Sequence, residues 1–364
     1  MRLYNVQCLR FLAAAAVLIG HTQHESAARL SPPWFFWGAG VDVFFIISGL
    51  IMYVQSSEAF GRPGAASEFI RHRLQRVVPI YWIFTALMIA STLLLTAHID
   101  HKQTSAPHIT ASFLFFPWPN EFGKLHPILG VGWTLNYEML FYAIFGASLL
   151  FRRGILVLLS AFAALLVIGA VSPAGAWPLR FWGAPIILEF LFGIGLGAAY
   201  LRGMRLSLSA GVALAFAGVA ALLVIRYLGF KDETWRFATV GLPALMIAAA
   251  FTLTPQPSDK KGWIGWMVLA GDASYALYLS HPFTINVVKL AMQKAGFAQP
   301  YLFFGVATAA SIAASIVIFL VVEKPIIAFF KARRKAPLLN KSDEVGAMTE
   351  IAVASSAPSG SSTP

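Results

Sequence analysis

Ten stretches of this chain are apolar over a length that crosses a hydrocarbon core of roughly 30 Å, and that repetition leaves few folds open. They fall at 6–23, 35–55, 77–97, 131–151, 154–172, 182–201, 207–225, 237–254, 272–293 and 301–322. In lipid a segment must satisfy its own backbone hydrogen bonds, so each run is expected to be a helix. Charged residues make up 12% of the chain, about half the share in an ordinary soluble domain. The expected fold class is all-α: a polytopic membrane protein forming a single bundle of about ten transmembrane helices. The stretch GWIGWMVLAG at 262–271 is apolar but short, and its tryptophans suit an interface.

Lys and Arg give the orientation. With the N-terminus inside, 17 of the 27 fall on the cytoplasmic side, nine fall outside and Arg10 lies within a span. The positive-inside rule then favours both termini in the cytoplasm. The net charge of +11 is read as this bias, not as a nucleic-acid footprint. The first run carries Arg10 and lacks a small-residue cleavage site, so it reads as the first span and not as a signal peptide. Cys8 is the lone cysteine, which excludes an intramolecular disulfide. Residues 1–330 are expected to form the membrane domain. Residues 331–364 are expected to be a disordered cytoplasmic tail, since 336–364 lack any apolar period.

A charged group at the centre of a membrane helix costs roughly 2.5–3.5 kcal/mol on translocon scales, so each one asks for a partner or a task. Arg10 and His21 share the first span, three turns apart on one stripe and about 16 Å apart in height. Their structural readings are a snorkelling anchor and an interfacial histidine. Asp42, in GVDVFFIISG, shares a face with Gly38, Gly49 and Tyr53 and is expected at the depth of His21 on the neighbouring span. That placement would let a carboxylate orient an imidazole base; the alternative is an ion pair that fixes helix register. On this reading Asp42→Asn should leave the fold intact and slow the chemistry.

The fourth span places Thr134, Glu138 and Tyr142 at i, i+4 and i+8, a polar stripe on an apolar helix, with Glu138 expected in the outer half beside His21 and Asp42. Glu189 is flanked by Gly193 and Gly197 on a packing face. In GDASYALYLSHPF, Asp272 suits an N-cap. Ser274, Tyr278 and His281 then line one face, where they can take a hydroxylated substrate or simply end a helix at the interface. Arg73 and Arg76, one turn apart at the cytoplasmic mouth, have the geometry to hold phosphates, against ordinary positive-inside retention. Pro79 is expected to kink or open the start of the following helix. There is no Walker A motif, GxGxxG or GxSxG, and His98, His101 and His108 lack an obvious fourth ligand. Nucleotide-driven pumping, serine-hydrolase chemistry and a bound metal are therefore not expected.

The stretches NVQCLRFLA…H, GVDVFFIISG, RLQRVVPIYW, GWTLNYEMLFY, GDASYALYLSHP and the EKP at 323–325 together resemble the acyltransferase 3 family of bacterial membrane O-acyltransferases, over residues 5 to 330. The wording of RVVPIYW and GVGWTLNYEMLFYA is most like the branch that acetylates exopolysaccharides such as succinoglycan. The resemblance implies a multi-pass protein of the bacterial inner membrane, moving an acyl group, usually acetyl from acetyl-CoA, onto a sugar hydroxyl of an envelope glycan. The family's functional positions map onto Arg10, His21, Asp42, Arg73, Arg76 and Glu138. Some members add an esterase-like domain for which this length leaves no room, so direct transfer or a partner's help is expected.

Combining depth with the resemblance, Arg10, Arg73 and Arg76 are expected to bind acetyl-CoA or another acyl-CoA. His21 is the expected general base, with Asp42 and Glu138 in support, and Tyr142, Ser274, Tyr278 and His281 contact substrate. The partners implied are a carbohydrate acceptor, membrane lipids and polysaccharide-synthesis machinery, with no nucleic acid. Two rivals are a transporter or flippase for a glycan or its lipid-linked precursor, and a scaffold without catalysis. The first predicts an internal repeat, and none is visible.

Overall fold

The computed structural model describes residues 3–26, 36–94, 105–120, 122–230, 232–258, 261–297 and 299–335. All regular structure among them is helical. The helices are α1 (Tyr4–Ser26), α2 (Ala39–Ser56), α3 (Ala65–Leu94), α4 (Ala106–Phe113), α5 (Trp133–Ser148), α6 (Gly154–Val171) and α7 (Trp177–Trp182). They continue as α8 (Leu188–Leu201), α9 (Leu208–Tyr227), α10 (Leu242–Leu253), α11 (Gly262–Asp272), α12 (Ser274–Lys294), α13 (Pro300–Ile318) and α14 (Lys324–Lys335). A π-turn over Phe237–Gly241 leads into α10, and another over Phe319–Glu323 joins α13 to α14.

Each of the ten expected spans coincides with a helix, but six helical stretches among the described residues are both long and apolar enough to cross a membrane. They are Ala39–Ser56, Ala65–Leu94, Gly154–Val171, Trp177–Leu201, Leu208–Tyr227 and Pro300–Arg333. The others fall short for physical reasons. The apolar surface of α1 is diluted by Arg10, Gln7 and His21, and that of α12 by His281 and two lysines. Helix α5 has only 16 residues, and Phe237–Leu253 is a shorter apolar helix.

Of the two readings of Pro79, it does not open a helix: it sits inside α3, which begins at Ala65 and carries Arg73 and Arg76 in continuous register into the apolar segment. One local expectation is corrected. Asp272 does not cap α12. It ends α11, and the residue before α12 is Ala273, which offers no side-chain cap. Helix α14 runs on to Lys335. The rest of the expected tail, and His98 and His101, lie outside the described residues.

Apolar side chains gain little by leaving lipid for another helix, so association rests on close packing and polar contacts. Helix α2 shows both. A Cβ on Gly49 would stand 2.1 Å from the carbonyl oxygen of Phe190, and one on Gly193 would stand 2.0 Å from that of Ile46. Backbone therefore meets backbone between α2 and α8, on the small-residue faces that the sequence suggests. On the other side of this seam Phe190 stacks between Phe45 and Phe141, with centroids 4.6 and 4.4 Å away, fixing α5 against α2 and α8. Helix α1 packs along another side of α2, with α12 against α1.

Candidate active site

A cavity of about 800 Å³, counting its open mouth, lies between α1, α2, α3, α5 and α12. Arg10, Arg73 and Arg76 contribute to its lining, as do Glu138, Tyr142, Ser274 and Tyr278, so seven of the ten singled-out residues meet in one place. Ser48 and Tyr275 join them. Apolar side chains such as Phe44, Ile47, Ile51 and Val77 fill the remaining wall.

The cationic side of the cavity is held by neutral groups. Arg73 donates from Nη2 to Gln55 Oε1 at 2.6 Å and lies over the Phe69 ring, while its Nε has no partner. Arg10 donates from Nη1 to Gln7 Oε1 at 3.2 Å. Among the described residues none of the three arginines is in an ion pair. Both Arg10 and Arg73 are buried at 8% exposure, which is costly for a guanidinium without a carboxylate against it.

Across the cavity, Glu138 accepts a hydrogen bond from Ser48 Oγ at 3.1 Å and a short one from the Tyr142 hydroxyl, one turn along α5. The i, i+4 stripe is thus real, but Glu138 stands with the arginines and not with His21 and Asp42. Helix α5 follows a 3-10 turn at Gly130–Gly132, and its Glu138 meets Ser48 of α2. Ser274 begins α12 with its buried hydroxyl unpartnered.

Tyr278 bounds the cavity toward the end at which α1 finishes. Its hydroxyl lies 2.9 Å from Thr134 Oγ1 and donates to the Val131 carbonyl at 2.7 Å. Beyond it stands His281, with ring centroids 6.2 Å apart, and beyond that His21, whose ring meets His281 edge-on at 5.0 Å. His281 is buried, and its Nδ1 sits 3.0 Å from the Leu277 carbonyl, a contact that only a protonated Nδ1 can make. Its Nε2 then holds a lone pair and has no partner. His21, a full turn from the α1 terminus, is exposed.

The expected pairing of Asp42 with His21 is not formed. Asp42 is fully buried, and both its oxygens accept from Arg236, Oδ1 from Nε at 2.9 Å and Oδ2 from Nη2 at 2.8 Å. Planar guanidinium and carboxylate match in this bidentate form, so the strong partner of Asp42 is a guanidinium in place of an imidazole. Arg236 also reaches Glu233 at 3.2 Å and lies over the Phe36 ring. Glu189, fully buried on α8, stands beside Asp42 and this pair. Sequence reasoning missed Arg236 because it reads as a loop charge. Its signal is its position immediately before the apolar run 237–254. Ser48 was also missed, although it sits on the face of α2 opposite Asp42.

Among the described residues no group of three His, Cys, Asp or Glu side chains is placed to hold a metal ion. Residues 3–320 match the model of a family described as an acyltransferase domain. The chain is also 33% identical over 299 residues to the exopolysaccharide production protein ExoZ of Rhizobium meliloti (strain 1021), covering 81% of this chain and 91% of that protein. No solved structure matches.

Proposed function

Since this chain belongs to the acyltransferase 3 family and is an acyltransferase, we propose that it moves an acetyl group from acetyl-CoA onto a sugar hydroxyl of an exopolysaccharide. The observation that carries the donor half is the set of three arginines around one cavity, none in an ion pair among the described residues. Buried, preorganised guanidinium groups are suited to the phosphates of a nucleotide-like donor. The acceptor half is supported by the similarity to a protein named for exopolysaccharide production.

The proposed course runs along the column from arginines to histidines. Acyl-CoA enters at the end where α1 begins, which the Lys and Arg bias puts on the cytoplasmic side of the bacterial inner membrane. Its phosphates meet Arg73, Arg76 and Arg10, and the acyl arm passes Glu138, Tyr142 and Ser274 toward Tyr278. His21 takes the proton of the acceptor hydroxyl as general base. The oxygen attacks the thioester carbonyl, the C–O bond forms as the C–S bond breaks, and the proton passes to the CoA sulfur. In place of Asp42, the neighbour that packs against His21 is His281, which stays in the substrate-contacting set. Asp42 acts through Arg236, as a structural clamp.

The test is thiol release from acetyl-CoA by protein in nanodiscs, with and without glycan from the source cell, for wild type and His21→Ala. Wild-type release that the folded variant lacks supports the reading. If wild type neither turns over nor binds acetyl-CoA, the transporter and scaffold readings take its place.

A further inference from the structure

Helices α1 and α12 meet along an apolar seam that one polar ring interrupts. Leu18 of α1 packs with Leu277 and Ile285 of α12 in a buried cluster. His281 stands between Leu277 and Ile285 at i, i+4 spacing, where packing alone would call for another aliphatic side chain. It is 1% exposed. Its Nδ1 turns along its own helix to the Leu277 carbonyl, and because a carbonyl only accepts, that nitrogen holds the proton. A second proton would create a buried cation, and His281 forms no ion pair among the described residues, so the ring is neutral. Nε2 is then a buried acceptor with no donor to it among the described residues. Such groups are rare, because they give up their bonds to water without return.

The neighbour of this ring is His21, which meets it edge-on with centroids 5.0 Å apart and, unlike His281, is exposed. Contacts on both sides hold the two helices in this register. Toward the helix ends, Lys289 Nζ of α12 donates to Glu25 Oε2 of α1 at 2.8 Å. That pair lies about one turn beyond His21 and two turns beyond His281. Toward the cavity, the Leu18 cluster closes the seam, and Tyr278 stands beside His281 with its hydroxyl tied to the Val131 carbonyl. A phenylalanine at 281 would pack against His21 as well and leave no acceptor open. A solely structural role therefore leaves the free Nε2 unexplained.

We propose that His281 is a positioning residue for the base: its Nε2 accepts a hydrogen bond from one ring N–H of His21, which leaves the other nitrogen of His21 free to take the acceptor's proton. This rests on the reading of His21 as general base, and gives His281 a duty beyond contacting substrate. The rings now touch without that bond. Turning the exposed His21 ring about χ2, a soft torsion, closes it, and the hydrogen bonds of catalytic groups are often long before substrate arrives. His21 goes from one ring proton to two as the hydroxyl attacks, and returns to one as the CoA sulfur is protonated. His281 keeps its Nδ1 proton throughout. It fills the post expected of Asp42 with a neutral ring, which adds no charge to the bilayer interior.

The experiment compares wild type, His281→Asn, His281→Gln, His21→Ala and the double variant His21→Ala/His281→Asn in nanodiscs. It measures kcat and KM for thiol release from acetyl-CoA with glycan from the source cell, together with thermal unfolding. Asn keeps a donor for the Leu277 carbonyl and has no acceptor at the place of Nε2; Gln reaches that place with its amide oxygen. The Asn variant is expected to lose about 10- to 100-fold in kcat, as when the partner that orients a metal-bound histidine is removed. Gln should restore most of that loss. In the double variant the Asn change should cost nothing further, because the base it serves is gone. A folded Asn variant with wild-type kcat, whatever its KM, overturns the inference and leaves His281 a substrate contact alone. So does an Asn change that slows the His21→Ala protein by the same factor as wild type. If the Asn variant does not fold, the Gln variant decides, and a folded Gln variant as slow as His21→Ala overturns it equally. An inactive wild type, or His21→Ala at the wild-type rate, brings down the base reading itself, a result distinct from an Asn variant that matches an active wild type.

Discussion

Breaking the Asp42–Arg236 pair from each side should give unequal costs, and the inequality follows from what each change leaves behind. Arg236→Gln removes the guanidinium that holds both oxygens of Asp42 and leaves two fully buried carboxyl side chains, Asp42 and Glu189, side by side. Stranding a buried charge in this way costs about 3–5 kcal/mol. Asp42→Asn is milder: Arg236 keeps Glu233 at 3.2 Å and has Glu189 beside it, so the loss is that of charge-assisted hydrogen bonding, about 1.5–3 kcal/mol. The double variant strands neither charge, and should fall short of the sum by about 2 kcal/mol, within the range found for contacting pairs. Reversible unfolding in mixed micelles measures all four proteins, and thiol release from acetyl-CoA reports activity alongside. Single variants within about 0.5 kcal/mol of wild type, or a strictly additive double variant, would refute the clamp. A folded double variant that still transfers acetyl at the wild-type rate would show in addition that the Asp42 carboxylate is dispensable for the chemistry.

Three other outcomes follow from contacts of the bundle. Gly193→Ala forces a methyl group onto the Ile46 carbonyl at 2.0 Å, so α2 and α8 must part, with an expected loss of about 1–3 kcal/mol in the same unfolding assay. Tyr278→Phe removes the hydroxyl that serves Thr134 and Val131, and should lower stability by about 1–2 kcal/mol while retaining acetyl-CoA binding measured by displacement of labelled CoA. Tyr142→Phe deletes a donor to Glu138 and should slow thiol release without unfolding the protein; turnover equal to wild type would remove Glu138 and its partner from the proposed course.

The sequence made the helical segments legible because hydropathy and length are local properties, although six of them, not ten, are long and apolar enough to cross a membrane among the described residues, and it found the polar stripe of α5 because i, i+4 spacing is one too. It also brought Arg10, Arg73 and Arg76 to one end of the bundle. What it missed were partnerships between distant spans. Asp42 and Arg236 are 194 residues apart, and His21 and His281 meet from opposite ends of the chain. Such pairs depend on the rotation of each helix about its axis and on its neighbours. Similar depth made Asp42 eligible for His21, but the seam at Gly49 turns Asp42 toward α8 and leaves His21 to α12. Glu138 was misplaced for the same reason: its height was readable, whereas the direction of its side chain was not.

Helix α2 is a partition with two unlike sides. One side presents Ser48, Ile47 and Ile51 to the cavity; the other carries Asp42 and Gly49 against α8. Substitutions made to admit a bulkier acyl chain have room on the first side, where Ile51→Ala would widen the passage by trimming a side chain. The same change of volume at Gly49 meets main chain and would tilt the whole partition, disturbing the carboxylates on both sides at once. An effort to retune donor size along α2 should therefore find permissive and forbidden positions alternating within single turns, a pattern that a saturation library of this one helix would record.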